Sequence, residues 1–407
     1  MNNKLYQIME DFADNVAKLC IEKYNFFKKT GKPDAHEWTV LSGIILENAI
    51  GSLSLVALAT GTKCLGESEL INDTREKRGS RLSDSHAEVL ARRAFIRYLY
   101  DQIDLALHGS ESAVFSWSHK NKIELNSNVS FHFFSSQTPC GDCSIFPKHE
   151  IYDNGVPVHK IRRIREDTCG YTIVESYCKD IHRTGAKCVK GEEIQDSRLP
   201  GVNYHTIGPL RTKPGRGNPT NSLSCSDKMA KWLILGLQGS LLSLLIPPIK
   251  LKSITIGGSC PFSLDAMERG LYKRFNNEMD KPKIFQAKIA FIHKKGQQRS
   301  HPCPTSIIWC AVRNSILEVA AAGRKQGVTK KKKGNNLFVS RRMLLQTFLQ
   351  IFDKYQDNYN EIRHPKKITY YDWKQWSLIY QSKWKQLKLE SFHKWPCKSV
   401  HLQNFTL

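Results

Sequence analysis

The sequence predicts an α/β fold in which a mixed sheet is flanked by helices. Segments with strand-like apolar runs alternate along the chain with segments of helical apolar spacing, an order typical of α/β sheets. Apolar residues make up 40% of the 407 residues, enough for a substantial core, and charged residues make up 24%, as in soluble globular proteins. Neither a linker nor an internal repeat is visible, so we expect one continuous domain over residues 1–407.

Apolar spacing and capping residues place the helices. Residues 11–27 carry apolar side chains at helical spacing, and Gly31 and Pro33 then end this helix. The polar residues 83–85 offer N-caps for a helix over residues 86–107. The remaining predicted helices cover residues 224–245, 341–355 and 371–389.

Five apolar or alternating runs predict the strands. Residues 54–60 predict a buried strand that enters a turn at Gly61. Residues 129–135 alternate and are rich in aromatic side chains, so they predict a strand that leads into Pro139 and Cys140. The other predicted strands cover residues 251–256, 287–292 and 305–312.

The charge balance predicts a polyanionic partner. Lys and Arg total 61 residues against 38 Asp and Glu, which gives a net charge of +23. Basic surfaces bind phosphates and release counterions, so nucleic acid is the expected partner class. The alternative is a basic surface without a cognate partner.

Cysteine usage and the first residues predict a reducing compartment, the cytoplasm or the nucleus. The twelve cysteines lack the spacing of a small disulfide-rich domain, and residues 1–11 are polar rather than leader-like. The longest uncharged run, residues 232–249, contains Gly236, Pro247 and Pro248. It therefore predicts a buried helix and turn, and we expect no membrane association.

Three short segments hold the residue types of a catalytic zinc site. They are Ser85-His86-Ala87-Glu88, Pro139-Cys140-Gly141-Asp142 and Ser224-Cys225-Ser226-Asp227. Catalytic zinc takes three protein ligands and keeps an open position for water, so we predict His86, Cys140 and Cys225 as the ligands. Each stands where the chain enters a predicted helix, and a helix N-terminus favours a thiolate. A His-x-Glu element followed by Pro-Cys is typical of zinc-dependent nucleobase deaminases.

The spacing of His86 and Glu88 restricts where this pair can act. Residues two apart point to nearly opposite sides of a regular helix, so both can face one site only in a helix's first turn. The polar residues just before His86 support that placement. Glu88 is then the predicted catalytic residue, which takes a proton from the water and passes it to the ring nitrogen and the leaving amine.

The sequence also allows a second set of zinc ligands. Cys140 and Cys143 form a C-x-x-C pair, and in the compact cytidine-deaminase pattern both would bind zinc. Cys225 would then be structural, although its predicted helix-start position favours it as the third ligand. Taken singly, each residue also fits a simpler interpretation, a surface His-x-Glu pair or a buried core cysteine.

Six motifs together carry a family resemblance. They are Ala59-Thr60-Gly61-Thr62-Lys63-Cys64, Asp84-Ser85-His86-Ala87-Glu88, Arg92-Arg93, Pro139-Cys140-Gly141-Asp142, Ser224-Cys225-Ser226-Asp227-Lys228-Met229-Ala230-Lys231-Trp232 and Gly239-Ser240-Leu241-Leu242. With these motifs the chain resembles the adenosine deaminases acting on RNA, over almost its whole length. It is most similar to their tRNA-specific branch, which converts the adenosine 3′ of the anticodon to inosine.

Two further segments, residues 19–39 and 210–217, favour the tRNA branch, as does the expectation that no duplex-RNA-binding module precedes the first helix. The resemblance implies a cytidine-deaminase-like mixed sheet enlarged by C-terminal helices around a buried inositol hexakisphosphate. It also implies zinc-dependent hydrolysis of adenosine to inosine in a tRNA substrate. No obligatory protein partner is evident.

The resemblance also assigns binding residues. Val40, Thr62 and Lys63 would line the target-nucleotide pocket, with Lys63 near a phosphate, and residues 213–218 would border the substrate. Arg342 is an alternative to Arg341 in the inositol phosphate site, because the resemblance is loose past Gly323. The implied inositol phosphate ligands are Arg92, Arg93, Lys228, Lys231, Trp232, Gln238, Arg341, Tyr370, Lys374, Tyr380, Trp395 and Lys398.

The basic members of that set have two physical interpretations. Burying unpaired charges costs several kcal/mol each, so either a polyanion neutralises them or they lie on solvated helix faces.

Three departures from the family pattern stand out: Ser83 where Asn is frequent, Cys143 where the residue is usually smaller, and Trp384 where the duplex-editing branch has Lys. Rival functions are a duplex-RNA (mRNA-type) adenosine editor, a non-catalytic RNA-binding protein with structural zinc, and a free-nucleoside deaminase.

Overall fold

The computed structural model describes twelve segments of the chain. They are residues 2–71, 78–118, 122–148, 163–167, 170–174, 180–215, 218–258, 260–275, 280–327, 336–357, 368–397 and 400–407.

The α-helices of the described residues include three long ones, and the others are shorter. They are α1 (Asn2–Phe26), α2 (Glu67–Ile71), α3 (Ala87–Leu107), α4 (Cys225–Leu235), α5 (Gly239–Leu242), α6 (Leu264–Glu268), α7 (Arg341–Asp357), α8 (Tyr370–Gln375) and α9 (Leu378–Glu390).

The strands range from two to eight residues. They are β1 (Glu37–Trp38), β2 (Leu41–Glu47), β3 (Leu53–Thr60), β4 (Thr62–Cys64), β5 (Asp84–His86), β6 (Phe115–Trp117), β7 (Ile123–Leu125), β8 (Ser130–Ser135), β9 (Phe146–Pro147), β10 (Arg163–Asp167), β11 (Gly170–Val174), β12 (Ile181–His182), β13 (Lys187–Cys188), β14 (Arg211–Thr212), β15 (Ser253–Ile256), β16 (Lys283–Gln286), β17 (His301–Pro302), β18 (Thr305–Cys310), β19 (Ile316–Ala321) and β20 (Arg324–Lys325).

A mixed sheet of eight strands forms the centre of the fold, in the order β16-β15-β8-β2-β3-β18-β19-β20. The pairs β16–β15 and β15–β8 are parallel, and from β8 to β20 the neighbours are antiparallel. Helices flank both faces, so the predicted mixed α/β sheet is confirmed.

Alternation along the strands divides the core between the two faces of the sheet. Ile45 faces α1, where it packs in one cluster with Val16 of that helix. Its neighbour Ile44 faces the opposite side and packs with Leu90 of α3. The period of two in a strand therefore makes one apolar segment fill both layers.

Two helix boundaries predicted from the sequence are wrong. The helix predicted over residues 224–245 ends at Leu235, because Gly236 adopts φ +90° and ψ 158°, and a separate short helix, α5, follows. The helix predicted over 371–389 is divided into α8 and α9 at residues 376–377.

The strand predicted over residues 287–292 is also wrong, since the edge strand is β16, just before it. The backbone N–H of Lys288 donates to Asp14 Oδ1 at 2.7 Å instead of to a neighbouring strand. Ala287 and Phe291 are nevertheless buried against α1. The apolar pattern thus reflects burial in an irregular segment.

None of the helices in the described part of the chain is long and apolar enough to cross a membrane. Residues 232–249, the longest uncharged run, lie largely in the core.

Candidate active site

The first site segment places His86 between a strand and a helix. Residue His86 ends β5 and is the N-cap of α3, and its backbone N–H donates to Asp84 Oδ1 at 3.0 Å. Glu88 is the second residue of α3. The pair therefore lies in the first turn, as the sequence predicts.

The two cysteines stand on adjoining loops. Cys140 follows β8 and precedes Gly141, whose φ of +106° and contact with Ser224 leave no room for a side chain. Cys225 is the first residue of α4, and the Ser224 hydroxyl caps that helix by accepting the Asp227 N–H at 3.2 Å. Ser226 joins the loops, because its backbone N–H donates to the Cys140 carbonyl at 3.0 Å.

These segments bring three metal-ligand side chains together. His86 Nδ1 lies 3.9 Å from Cys140 Sγ and 3.6 Å from Cys225 Sγ, and all three ligand atoms lie within 4.8 Å of one another. Ligands about 2.0–2.3 Å from a tetrahedral zinc ion lie roughly 3.5–3.8 Å apart, so the spacing fits zinc. Two sulfurs and one imidazole nitrogen also leave a fourth position open.

Cys143 lies outside this group. Its side chain is fully buried, its Sγ lies 3.8 Å from the Met267 carbonyl oxygen, and burial raises its pKa to about 12. The metal-ligand group found among the described residues contains Cys225 instead. Of the two ligand sets left open by the sequence, the geometry therefore favours the one with Cys225.

The electrostatic environment favours a thiolate at Cys140. A hydrogen bond from Cys225, together with the charges of Lys213 and His86, lowers the pKa of Cys140 well below its usual value. Burial and the neighbouring Cys140 raise the pKa of Cys225. Metal ligation requires deprotonated thiols, and the positive charge of a divalent cation would stabilise both sulfurs as thiolates.

Glu88 is a buried carboxyl group without a fixed partner. Its residue is 3% exposed, and Oε2 has no hydrogen-bond partner among the described residues. Burial raises its pKa, and the charges of His86 and Cys140 also act on it. A carboxyl group with a raised pKa beside a metal site suits proton transfer near neutral pH.

A buried network behind His86 was not predicted from the sequence. Asp84 Oδ2 accepts hydrogen bonds from Lys213 Nζ at 2.8 Å and Ser222 Oγ at 2.7 Å, and it also pairs with Lys228 Nζ. The two lysines outweigh burial and hold the pKa of Asp84 well below its ordinary value. Because Asp84 also binds the His86 N–H, this network fixes the strand that carries the imidazole.

A polar cavity of about 500 Å³ lies beyond this network. Every described residue of the set implied for inositol hexakisphosphate lines it, whereas Lys398 lies outside the described residues. Arg341 lines the cavity, while Arg342 Nε donates to the Arg78 carbonyl at 3.3 Å, so the placement favours Arg341. The lining residues among the implied ligands are Arg92, Arg93, Lys228, Lys231, Trp232, Gln238, Arg341, Tyr370, Lys374, Tyr380 and Trp395.

The cavity concentrates positive charge. Burial together with neighbouring cations lowers the pKa of Lys231 well below its usual value and that of Arg93 to about 10. Asp84 is the one carboxylate among the described lining residues. Sequence reasoning missed further basic and aromatic members of the lining, among them Arg81, Trp384 and Lys388; a search for basic and aromatic residues on the C-terminal helices could have found the last two.

The residues assigned to the target nucleotide lie next to His86. Thr62 pairs with His86 and Lys63 pairs with Ser85 in the β4–β5 ladder. The Val40 carbonyl accepts the Gly61 N–H at 3.1 Å, which brings Val40 to the same turn. The hydroxyl of Thr62 is buried without a hydrogen-bond partner in the described segments.

The fold and the site together define the class of protein. Residues 57–399 match the adenosine-deaminase (editase) domain family. The chain belongs to this family and is an adenosine deaminase.

Individual relatives match different shares of the chain. The tRNA-specific adenosine deaminase 1 of Macaca fascicularis is 34% identical, over 94% of this chain and 97% of that protein. The tRNA-specific adenosine deaminase 1 of Drosophila melanogaster is 35% identical, over 96% of each chain. The double-stranded RNA-specific editase Adar of Drosophila melanogaster is 34% identical, over 60% of this chain and 33% of that protein.

Proposed function

We propose that the chain catalyses the zinc-dependent hydrolytic deamination of adenosine to inosine in tRNA, at the adenosine 3′ of the anticodon. The observation that carries the proposal is the meeting of His86, Cys140 and Cys225 beside the buried carboxyl group of Glu88. These four residues come from three segments that are distant in the sequence, and they assemble the donor set and proton carrier that hydrolytic deamination needs.

The metal would be held by His86 Nδ1 and by the sulfurs of Cys140 and Cys225. Zinc held there would supply Lewis acidity that lowers the pKa of a water molecule, and so would provide a nucleophile for C6 of the adenine near neutral pH. Glu88 would accept one proton of the water and deliver it to N1 of the ring, and then accept the second proton and deliver it to the departing amine. The reaction is balanced, because the water supplies the oxygen of inosine and the amino group of adenosine leaves as ammonia.

The share of each relative's length that the chain matches favours a tRNA substrate over a long RNA duplex. The named tRNA-specific deaminases are matched over 96–97% of their length, and the double-stranded-RNA editase over 33%. An adenine must leave its stack to reach a buried site, and a base in an anticodon loop does so at little cost. Val40, Thr62 and Lys63 would form the pocket for this nucleotide, since they adjoin His86.

Inositol hexakisphosphate is the proposed occupant of the polar cavity. The chemistry of the lining fits this group: Arg92, Arg93 and Lys374 all have their pKa lowered by burial, and no carboxylate within the described ranges pairs with them. A polyanion would supply the missing negative charge and hydrogen-bond acceptors. Lys398 is proposed as a further ligand, as the resemblance implies.

The function is tested by incubating the zinc-loaded protein with tRNA carrying adenosine 3′ of the anticodon and measuring inosine by nuclease digestion and mass spectrometry. We expect inosine at that single position. A long RNA duplex serves as the comparison, because efficient deamination of the duplex but not of tRNA would establish the duplex-RNA editor instead.

The two ligands are tested together by native mass spectrometry of the purified protein. We expect one zinc ion and one inositol hexakisphosphate per chain. A protein of the bare polypeptide mass that is nevertheless active would refute both assignments.

A further inference from the structure

A short segment after α6 contacts both cysteine loops without belonging to the metal site. Residues Arg269–Lys273 form a π-helical turn, and Arg274 follows directly. Two arginines at the ends of this segment, Arg269 and Arg274, reach in different directions into the protein. Each forms an ion pair with an aspartate that lies two residues after a cysteine of the site.

Arg269 holds the loop of Cys140. Its Nε donates to Asp142 Oδ2 at 2.7 Å, and its Nη2 donates to the carbonyl oxygens of Asp142 at 2.9 Å and Ile145 at 2.6 Å. The Asp142 side chain is fully buried. Three hydrogen bonds to one turn therefore fix the backbone just after Cys140 in place.

Arg274 holds the first turn of α4. Its Nη2 pairs with Asp227 Oδ1, while the other carboxylate oxygen of Asp227 accepts the N–H of Arg211 at 3.0 Å. Arg274 Nη1 also donates to the Gly208 carbonyl at 3.0 Å. The side chains of Arg274 and Asp227 are 7% and 1% exposed, so solvent screens this pair little.

The turn between Arg269 and Arg274 packs closely against the loop that carries Cys140 and Cys143. A Cβ atom on Gly270 would lie 2.5 Å from Cys143 Sγ and 2.9 Å from the Cys143 backbone nitrogen. Glycine at this position therefore lets the turn rest directly on the C-x-x-C loop.

We propose that Arg269 and Arg274 form a two-armed clamp that sets the separation of the Cys140 and Cys225 sulfurs, and so act as positioning residues for the metal. The proposal rests on the zinc site of the proposed function. A three-ligand site holds its metal only if the ligand atoms keep their spacing, and the groups that orient ligands control both affinity and reactivity.

The test compares Arg269→Gln, Arg274→Gln and the control Arg313→Gln. Arg313 pairs with Asp101 at 3.0 Å and with Asp104, and its side chain is 55% exposed. The readouts are the zinc content of the purified protein, the rate of zinc release to an excess of a chromogenic chelator, and the visible absorption spectrum of the cobalt(II)-substituted protein. We expect each clamp variant to release zinc about 10- to 100-fold faster and to shift the cobalt bands, whereas the control matches the wild type.

Steady-state kinetics on tRNA adds a second criterion. We expect kcat to fall in the clamp variants while KM stays unchanged, because the clamp does not touch the substrate. Arg269→Lys and Arg274→Lys keep the positive charge but lose the planar guanidinium group that donates several hydrogen bonds at once. We expect these variants to give intermediate zinc-release rates. These lysine variants carry the test if the glutamine variants fail to fold.

The outcomes separate the two proposals. A wild-type protein without zinc would contradict the proposed function itself. A wild-type protein with zinc, whose clamp variants keep its zinc-release rate and cobalt spectrum, would overturn the clamp even if those variants melt at a lower temperature.

Discussion

At the scale of single residues, the site combines groups whose roles follow from where each is buried. His86 stands at a helix N-terminus, where its Nδ1 faces two sulfurs, and Glu88 is the second residue of the same helix. The spacing of the His-x-Glu pair predicted this arrangement, because only a first helical turn lets both side chains serve one site. Asp84 could not be predicted in the same way, since its partners Lys213 and Lys228 are more than a hundred residues away.

Replacing Glu88 with Gln removes the proton carrier and keeps the shape of the side chain. We expect turnover to fall about 10²- to 10⁴-fold or more, with zinc content unchanged because Glu88 is not among the metal ligands. Inosine formation and zinc content are measured on the same preparation, with Glu124→Gln, at the exposed position of β7, as the control. A Glu88→Gln protein of full activity would contradict the mechanism.

Because of His293, we expect the free energy of unfolding to fall in acid. Burial, reinforced by Arg299 and Lys32, lowers its pKa from 6.5 to about 4. The neutral ring is therefore favoured in the folded state, and as the pH falls from 6.5 to 4 the unfolded chain takes up the proton first. Because the ring is only partly buried, we expect it to contribute on the order of 1 kcal/mol of this loss.

The measurement is the free energy of unfolding by urea from pH 7 to pH 4, for the wild type and for His293→Phe. The variant keeps an aromatic ring against Tyr24 and Phe291 but cannot titrate. We expect its stability to decline less steeply over this range. Parallel curves would show that His293 does not contribute.

At the scale of secondary structure, helix ends are what sequence pattern predicts least well. The apolar run from Trp232 onward continues through α5, so periodicity alone predicts one helix. Gly236 ends α4 because its backbone lies in a region that only glycine adopts readily, and Gln238 then fills the space that a side chain would need. The break turns the chain so that Gln238 and Gly239 line the polar cavity.

Gly236→Ala should destabilise the protein strongly. The strained backbone costs about 1–3 kcal/mol, and the new Cβ would lie 2.1 Å from Gln238 Oε1, so we expect a loss at or above the upper end of that range. Gly109→Ala is the matched control, because Gly109 also has a positive φ, +67°, but its Cβ would meet nothing within 4 Å. Urea unfolding of both variants makes the comparison, and equal losses would refute this account of the helix end.

At the scale of the whole molecule, charge is distributed between a buried cluster and the surface. The net charge of +23 includes Arg92, Arg93 and Lys231, which line the cavity. The remaining excess is available for phosphate contacts with a nucleic acid. The composition thus predicted a polyanion partner, while only the fold separates the two polyanions proposed above.

The affinity for tRNA should depend strongly on salt. If four backbone phosphates of a single-stranded loop are contacted, the dissociation constant should rise about 50-fold between 50 and 200 mM salt. The measurement is a binding titration of the Glu88→Gln protein with tRNA across this range, with free adenosine as the uncharged comparison. A salt-independent affinity for tRNA would exclude the backbone as the main contact.

The sequence by itself determined the features that depend on local order: the first-turn placement of His86 and Glu88, the capped start of α4 at Cys225, and the alternation that builds the central sheet. Caps, turns and apolar periods act over a few residues, so they are visible in the chain without its fold. Only the tertiary structure decided that Cys225 rather than Cys143 lies close enough to His86 and Cys140 to share a metal ion with them. It also decided that Asp84 binds two distant lysines and that eleven of the predicted side chains, scattered along the sequence, line one cavity. Those outcomes depend on contacts between segments far apart in sequence, which packing of the whole chain alone brings within bonding distance.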